Sequence, residues 1–222
     1  MKFGFIVGAV GALALSATVA TAQVCQGDLS FRGRSTHVGG ALAVSDNATS
    51  FGGGLSYGHA QGWYGGANAG MITYDNVSGN SITVGGGLGY QMPLQRRSKW
   101  QVCPGGTLTA SFGPTLNGGA AGDAHLSAQT LTMGASFGTS VAMNRTVSLL
   151  PFGSVAFAHT RAAVKVNNNS TSASDNYMLL GFGAGFQLSP SLVLRPALSL
   201  AAGADLADDT IFGFSVTWAL PR

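Results

Sequence analysis

Apolar residues in this chain recur at every second position, and the positions between them carry almost no charge. Ile82, Val84, Leu88 and Tyr90 alternate with Thr83, Gly85, Gly87, Gly89 and Gln91. Leu131, Met133, Ala135, Phe137 and Val141 oppose Thr130, Thr132, Gly134, Ser136, Gly138 and Ser140, and Phe212, Phe214, Val216, Trp218 and Leu220 oppose Ile211, Gly213, Ser215, Thr217 and Ala219. A period of two belongs to strands. The second face decides which β architecture they build. A soluble sandwich turns its greasy face inward and charges outward, whereas a transmembrane barrel sends apolar side chains to lipid and small or polar ones to its lumen. Only 9 % of residues are charged, against roughly a quarter in an ordinary soluble domain. Beyond the N-terminus there is no long apolar helical run, and a closed barrel is the other structure that satisfies every backbone group in lipid. The expected fold is therefore all-β: a closed, up-and-down antiparallel transmembrane β-barrel.

Turn chemistry divides the chain into about ten strands, with eight as the alternative, at 37–45, 50–59, 62–74, 81–91, 99–112, 127–142, 146–160, 177–188, 191–202 and 210–220. One set of connections is 46–47, 75–80, 113–125, 167–176 and 203–209; the other is 60–61, 92–98, 143–145 and 189–190. With the N-terminus in the periplasm, the first set is external and the second internal. Seven of the eight Asp lie in or beside the external set, and the chain has no Glu. Arg96, Arg97, Lys99 and Arg145 lie at internal turns. All three Trp, Trp63, Trp100 and Trp218, fall at internal strand ends, beside Tyr64 and Tyr90, so these five are expected to form a membrane-interface girdle. Charge and aromatic placement are independent of the hydropathy period, and both respect the same two ends.

Met1-Lys2, an apolar run to Ala20 and the small-x-small exit Ala20-Thr21-Ala22 predict a signal peptide over 1–22, cleaved before Gln23. Residues 23–36 are then expected to be a periplasmic segment, and 37–222 the barrel. Export to an oxidising compartment makes a Cys25–Cys103 disulfide the default for the two cysteines. An apolar-x-Pro-x-x-Ser/Thr-apolar pattern recurs around Pro104, Pro151 and Pro196 at a spacing of one hairpin. Proline cannot donate to a ladder, so each should mark a bulge or a first unpaired residue. Parity sends Cys103, Leu150 and Arg195 inward, to a lumen also lined by Asn68 and Gln187. A segment tied from Cys25 to Cys103 would lie across the periplasmic mouth. No Asp lies at the strand depth of Arg195, and a charge left alone in a dry site costs several kcal/mol, so the lumen near that end is expected to be wet.

The Gly-aromatic strands Phe51-Gly52-Gly53-Gly54-Leu55-Ser56-Tyr57 and Gly181-Phe182-Gly183-Ala184-Gly185-Phe186, with the Pro-bearing repeat, resemble those of small Gram-negative outer-membrane barrel proteins, the OmpA-type and porin-like barrels. The last strand resembles the C-terminal assembly signal of that superfamily, although Trp218 is followed by Ala219-Leu220-Pro221-Arg222. The resemblance implies residence in the outer membrane, contact with its lipid and lipopolysaccharide, and delivery by the barrel-insertion machinery. It carries little about activity, because many functions share the fold.

Sites of chemistry are sparse. His125 with Ser127 and Asp123 is the one cluster with hydrolase-like residue types, and a flexible Gly/Ala-rich loop is a poor frame for catalytic geometry. Asp205, Asp208 and Asp209 match no calcium-loop spacing and read as a solvated acidic loop. The Gly-rich stretches lack the Lys-Ser/Thr and the helix of a phosphate loop. No catalytic residue, cofactor or metal is expected. A net charge of +3 without clustering excludes a nucleic-acid footprint. Two readings of function remain: a non-enzymatic structural or surface-interaction barrel that meets an external ligand through its loops, and a narrow porin-like channel for small solutes.

Overall fold

The computed structural model describes residues 24–31, 36–59, 62–75, 79–94, 99–116, 124–166 and 169–221. The expected signal peptide and the basic pair Arg96-Arg97 lie outside them. The strands are β1 (Thr36–Ser45), β2 (Ala48–Gly58), β3 (Trp63–Tyr74), β4 (Asn80–Tyr90), β5 (Met92–Pro93), β6 (Gln101–Leu116), β7 (Ala124–Gly138), β8 (Val141–Ala142), β9 (Ser148–Val166), β10 (Asn169–Ser189), β11 (Leu192–Ala202) and β12 (Thr210–Ala219). β5 and β8 are short flaps paired to β6 and β9 at the inner turns. The other ten form a closed antiparallel ring, because β1 pairs with both β2 and β12 and the ladder runs unbroken around the remaining strands. Ten strands, not eight, close the barrel.

Alternation translates directly into the two surfaces. Ile82, Val84, Leu88, Leu131, Met133, Phe137, Phe212, Phe214 and Trp218 face outward, Leu88 with 73 % of its surface exposed. Ser81, Thr83, Thr109, Ser111, Thr130, Ser215 and Thr217 are buried inside. Such a continuous apolar exterior has no counterpart on a water-soluble monomer; it is the band that meets lipid. Among the described residues no helix is long and apolar enough to cross a membrane.

The repeated prolines sit where a ladder ends. β4 pairs with β6 as far as Gly105, β7 with β9 as far as Phe152, and β10 with β11 as far as Ala197 before an irregularity. Pro104, Pro151 and Pro196 each follow by one residue, where the side facing the preceding strand needs no N–H donor.

The connections differ from expectation on one side of the barrel. Segments 113–116, 124–126 and 169–176 are strand instead of loop, and β7 stops at Gly138 instead of continuing to 142. β9 and β10 share a ladder of 19 registered pairs, from Asn169↔Val166 to Gln187↔Ser148, whereas β1 and β2 share nine. A tilted strand needs about 9–11 residues to cross a membrane. The surplus of β6, β7, β9 and β10 therefore rises beyond the outer boundary as a four-stranded wall. Along β10 above that boundary Ser170, Ser172 and Ser174 stand on one face and Asn169, Thr171 and Asp175 on the other, so this stretch shows no greasy alternation and reads as loop.

Candidate functional site: a closed lumen beneath a raised wall

The N-terminal segment does not lie in the periplasm or merely span the mouth; residues 24–31 enter the barrel. A single 3-10 turn, Val24–Gln26, ends at Gly27, whose φ of +74° reverses the chain. Cys25 is fully buried and bonded to Cys103 on β6. Phe31 stacks on His37 at 4.3 Å and on Tyr64 at 5.9 Å between ring centroids. Leu29 packs on Leu150, Val193 and Ala219. Glycines on the wall make the room: a Cβ on Gly185 would lie 1.8 Å from the Gly27 carbonyl oxygen, and one on Gly138 would lie 2.5 Å from that of Val24. The small inward face is thus the socket of the plug.

Electrostatics fix its centre. Arg195, 6 % exposed, donates from Nε to Ser215 Oγ at 3.1 Å and from Nη1 to the Gln26 carbonyl at 3.0 Å. Its guanidinium stands 5.7 Å from the Phe152 ring centroid, within cation–π range. The opposite charge is Asp28, whose carboxylate accepts from Thr217 Oγ1 at 2.7 Å and from its neighbour Leu29 N at 2.8 Å and feels the Arg195 charge. Burial pushes the Asp28 carboxyl above its ordinary value; Arg195, Thr217 and the Leu29 N–H draw it only partly back. The wet periplasmic lumen expected from Arg195 is replaced by a packed plug carrying the counter-charge. Asp28 lies on no strand, so a match of strand depths to Arg195 does not reach it. The signal was present: Asp28 is the one Asp away from the outer loops, three residues from a cysteine that a disulfide carries into the lumen.

The other expected residues divide as follows. Asn68 is buried in the lumen, and Gln187 is half-buried on the inward side of β10, beside a register irregularity at its inner end. Trp63, Trp100 and Trp218 are exposed on the outer surface at the inner end, Trp63 by 63 %, with Tyr90 tilted against Trp63 at 4.8 Å. Tyr64 is not part of that girdle. It follows the outward Trp63, so parity turns it into the lumen, where it is 4 % exposed and packs with Phe31, Cys25 and Cys103.

The outer end is closed by a second device. Ala48 and Ile72 from β2 and β3 cluster with Ala128 and Ala162 from β7 and β9, on the far side of the ring, and Tyr74 and Leu206 pack against them. The 203–209 loop is held there by Asn47 Nδ2 donating to Asp208 at 2.8 Å, and by Asp205 N and Leu206 N donating to Asp175. Between the two closures lies a cavity of about 120 Å³, lined in part by Gln26, Tyr64, Thr132, Ser136 and Ser199. His125 bonds Thr115 on the open wall at 3.1 Å, and Asp123 lies outside the described residues. No group of three or more metal-ligating side chains occurs among the described residues.

A family model for the outer membrane protein beta-barrel domain matches residues 5–219. The chain belongs to that family. Its place is accordingly the bacterial outer membrane. Among solved structures, the β domain of the Bordetella autotransporter BrkA is similar at 11 % identity and a TM-score of 0.51, covering 84 % of this chain and 99 % of that one. The attachment invasion locus protein Ail of Yersinia pestis is similar at 18 % identity and a TM-score of 0.40, over 82 % and 93 % of the two chains. The outer membrane protease OmpT of Escherichia coli gives 7 % and 0.45, over 84 % and 94 %. No curated protein matches this outer-membrane barrel chain.

Proposed function

We infer that the protein is a non-enzymatic surface barrel whose working part is the wall raised by β6, β7, β9 and β10. The observation that carries this reading is the 19-pair β9–β10 ladder beside strands of single-crossing length. Ordering a long polar hairpin costs backbone entropy of about 1–2 kcal/mol per residue, and that rigid extension adds nothing to the lipid-facing band. The barrel beneath it is closed twice, by the plug at one end and by the Ala48–Ile72–Ala128–Ala162 cluster at the other. A passive channel would need an open path where both devices stand. His125 and Ser127 are exposed on the wall, whereas catalytic groups are usually gathered in a concave pocket.

Reconstitution of the purified, oxidised protein in planar bilayers tests the reading. Silence is expected across the voltage range that resolves small porins. Stable single-channel steps from the intact protein would overturn it in favour of solute diffusion.

A further inference from the structure

The greasy side of β7 and β9 changes places where these strands leave the membrane. Below that level Leu131, Met133, Val155 and Phe157 point outward to lipid. Above it the outward positions carry His125, Ser127 and Gln129 on β7 and Arg161 and Lys165 on β9, all exposed. The inward positions become the apolar ones: Ala128, Leu126 and Ala124 on β7 are registered with Ala162, Val164 and Val166 on β9. Ala128 and Ala162 pack on Ala48 and Ile72 from across the ring, so these columns face the barrel axis. Higher up, Leu126, Val164 and Val166 are only half-buried. Ala173 and Thr171 on β10, registered with Ala162 and Val164, add a third column. At 3.3 Å per residue and 4.8 Å between strands, the face is about 13 Å tall and about 10 Å wide. An α-helix is about 10 Å across and climbs about 5.4 Å per turn, so two turns fit along it.

Carboxylates gather opposite this face. The strands from β11 through β12 and β1 to β4 make the low side of the rim. Their outer connections carry Asp46, Asp75, Asp205, Asp208 and Asp209. These connections touch one another: Asp75 N donates to the Asn47 carbonyl at 3.0 Å, and Asn47 Nδ2 donates to Asp208 Oδ1 at 2.8 Å. Asp208 is 6 % exposed, and its second oxygen, Oδ2, is buried without a hydrogen-bond donor. A buried acceptor left without a donor is costly, and a cationic donor relieves that cost best. No three metal-ligating side chains converge among the described residues, so the acids are spaced for several separate cations instead of one metal ion. Arg161 and Lys165, the described permanent cations at this end, stand on the other face of the wall.

We propose that the notch between the apolar inner face of the wall and the acidic low rim binds a cationic, amphipathic helical peptide. Apolar side chains at i, i+3, i+4 and i+7 lie on Leu126, Val164 and Ala173. Lysine or arginine side chains on the opposite side of the helix reach Asp46, Asp75, Asp208 and Asp209. The wall stands between the notch and the bilayer, so this partner arrives from solution. The assignment gives a partner chemistry to the surface-interaction reading above and rests on it.

The test is binding of a short fluorescent peptide of lysine and leucine, patterned as an amphipathic helix, to the folded protein in zwitterionic detergent micelles. Exposed ion pairs contribute about two- to threefold in affinity each, so D46N/D75N/D209N should weaken binding by about tenfold. L126S/V164S should weaken it by about tenfold or more, because the wall face turns polar. Heat-dependent gel mobility verifies that both variants fold. Two further peptides need no variant: one with glutamate for lysine and one with serine for leucine should each bind the native protein far more weakly. Native binding by either variant overturns the proposal, as does equal binding of the glutamate peptide. Equal binding of the serine peptide also overturns it, reducing the notch to a counter-ion patch. So does binding of the lysine–leucine peptide no stronger than to empty micelles. Single-channel steps in bilayers would defeat the surface-interaction reading itself, whereas a silent barrel that binds no peptide defeats only this assignment.

Discussion

Arg195 and Asp28 form the one pair of opposite charges buried together inside the described barrel, and each is tolerated there because of the other. Removing one partner of such a pair exposes the survivor's full desolvation cost, about 3–5 kcal/mol. Replacing both with apolar residues avoids that cost. Asp28→Leu and Arg195→Met should each lower stability by about 3–5 kcal/mol, while the double variant should lose clearly less than the sum. Urea titration followed by heat-dependent gel mobility measures all three. Strict additivity would show that the two side chains do not depend on each other. A neighbouring residue gives a steric counterpart. Gly185→Ala places a methyl group on the Gly27 carbonyl and should lever the plug outward. Reduction of Cys25–Cys103 by dithiothreitol should then accelerate by an order of magnitude or more. Gly181→Ala is the control, because its methyl meets chiefly the Ser154 hydroxyl, which can rotate away. Equal reduction rates in the two variants would contradict the socket.

At the scale of elements, legibility follows the membrane boundary. Between the interfaces the sequence must alternate, because one face meets lipid and the other a polar lumen, so β4 and β12 begin and end within about a residue of their expected limits. Above the boundary the outward face turns polar, and on β10 the inward face largely does too, with Asn169, Thr171 and Asp175, so period two carries no hydropathy signal there and Asn169–Asn176 reads as a loop. The plug was half legible. Two cysteines announced the tether, yet Asp28, Leu29 and Phe31 are too few to show a periodicity, and only their contacts reveal their place. The same boundary argument predicts what the wall contributes to folding. Replacing residues 164–171 with Asn-Gly would join the registered pair Ala163 and Ser172 through a two-residue hairpin turn. Ala162 stays in the outer cluster, and no lipid-facing residue is lost. Barrel stability should change by no more than about 1 kcal/mol, the range of surface changes that create no cavity or buried charge. Failure of the shortened protein to reach its folded gel mobility would mean that the wall nucleates the barrel.

For the molecule as a whole, the two closures act in series, and a series path conducts only when both are open. The inner closure is covalent and electrostatic. Cys25 and Cys103 are 78 residues apart, a loop for which chain-entropy estimates assign a disulfide about 4–5 kcal/mol, and the Asp28–Arg195 pair adds to it. The outer closure is contact among Ala48, Ile72, Ala128 and Ala162, with Tyr74 and Leu206, and the hydrogen bonds of Asn47 to Asp208 and of the Asp205 and Leu206 amides to Asp175. Releasing the plug in C25S/C103S/D28A should therefore leave planar bilayers silent, because the apolar constriction still excludes hydrated ions. Trimming the constriction alone in I72G should also leave them silent, because the plug remains. Combining the two sets should produce small, stable steps. That non-additive result distinguishes a barrel closed for display from a porin with one movable gate, in which the plug variant alone would conduct.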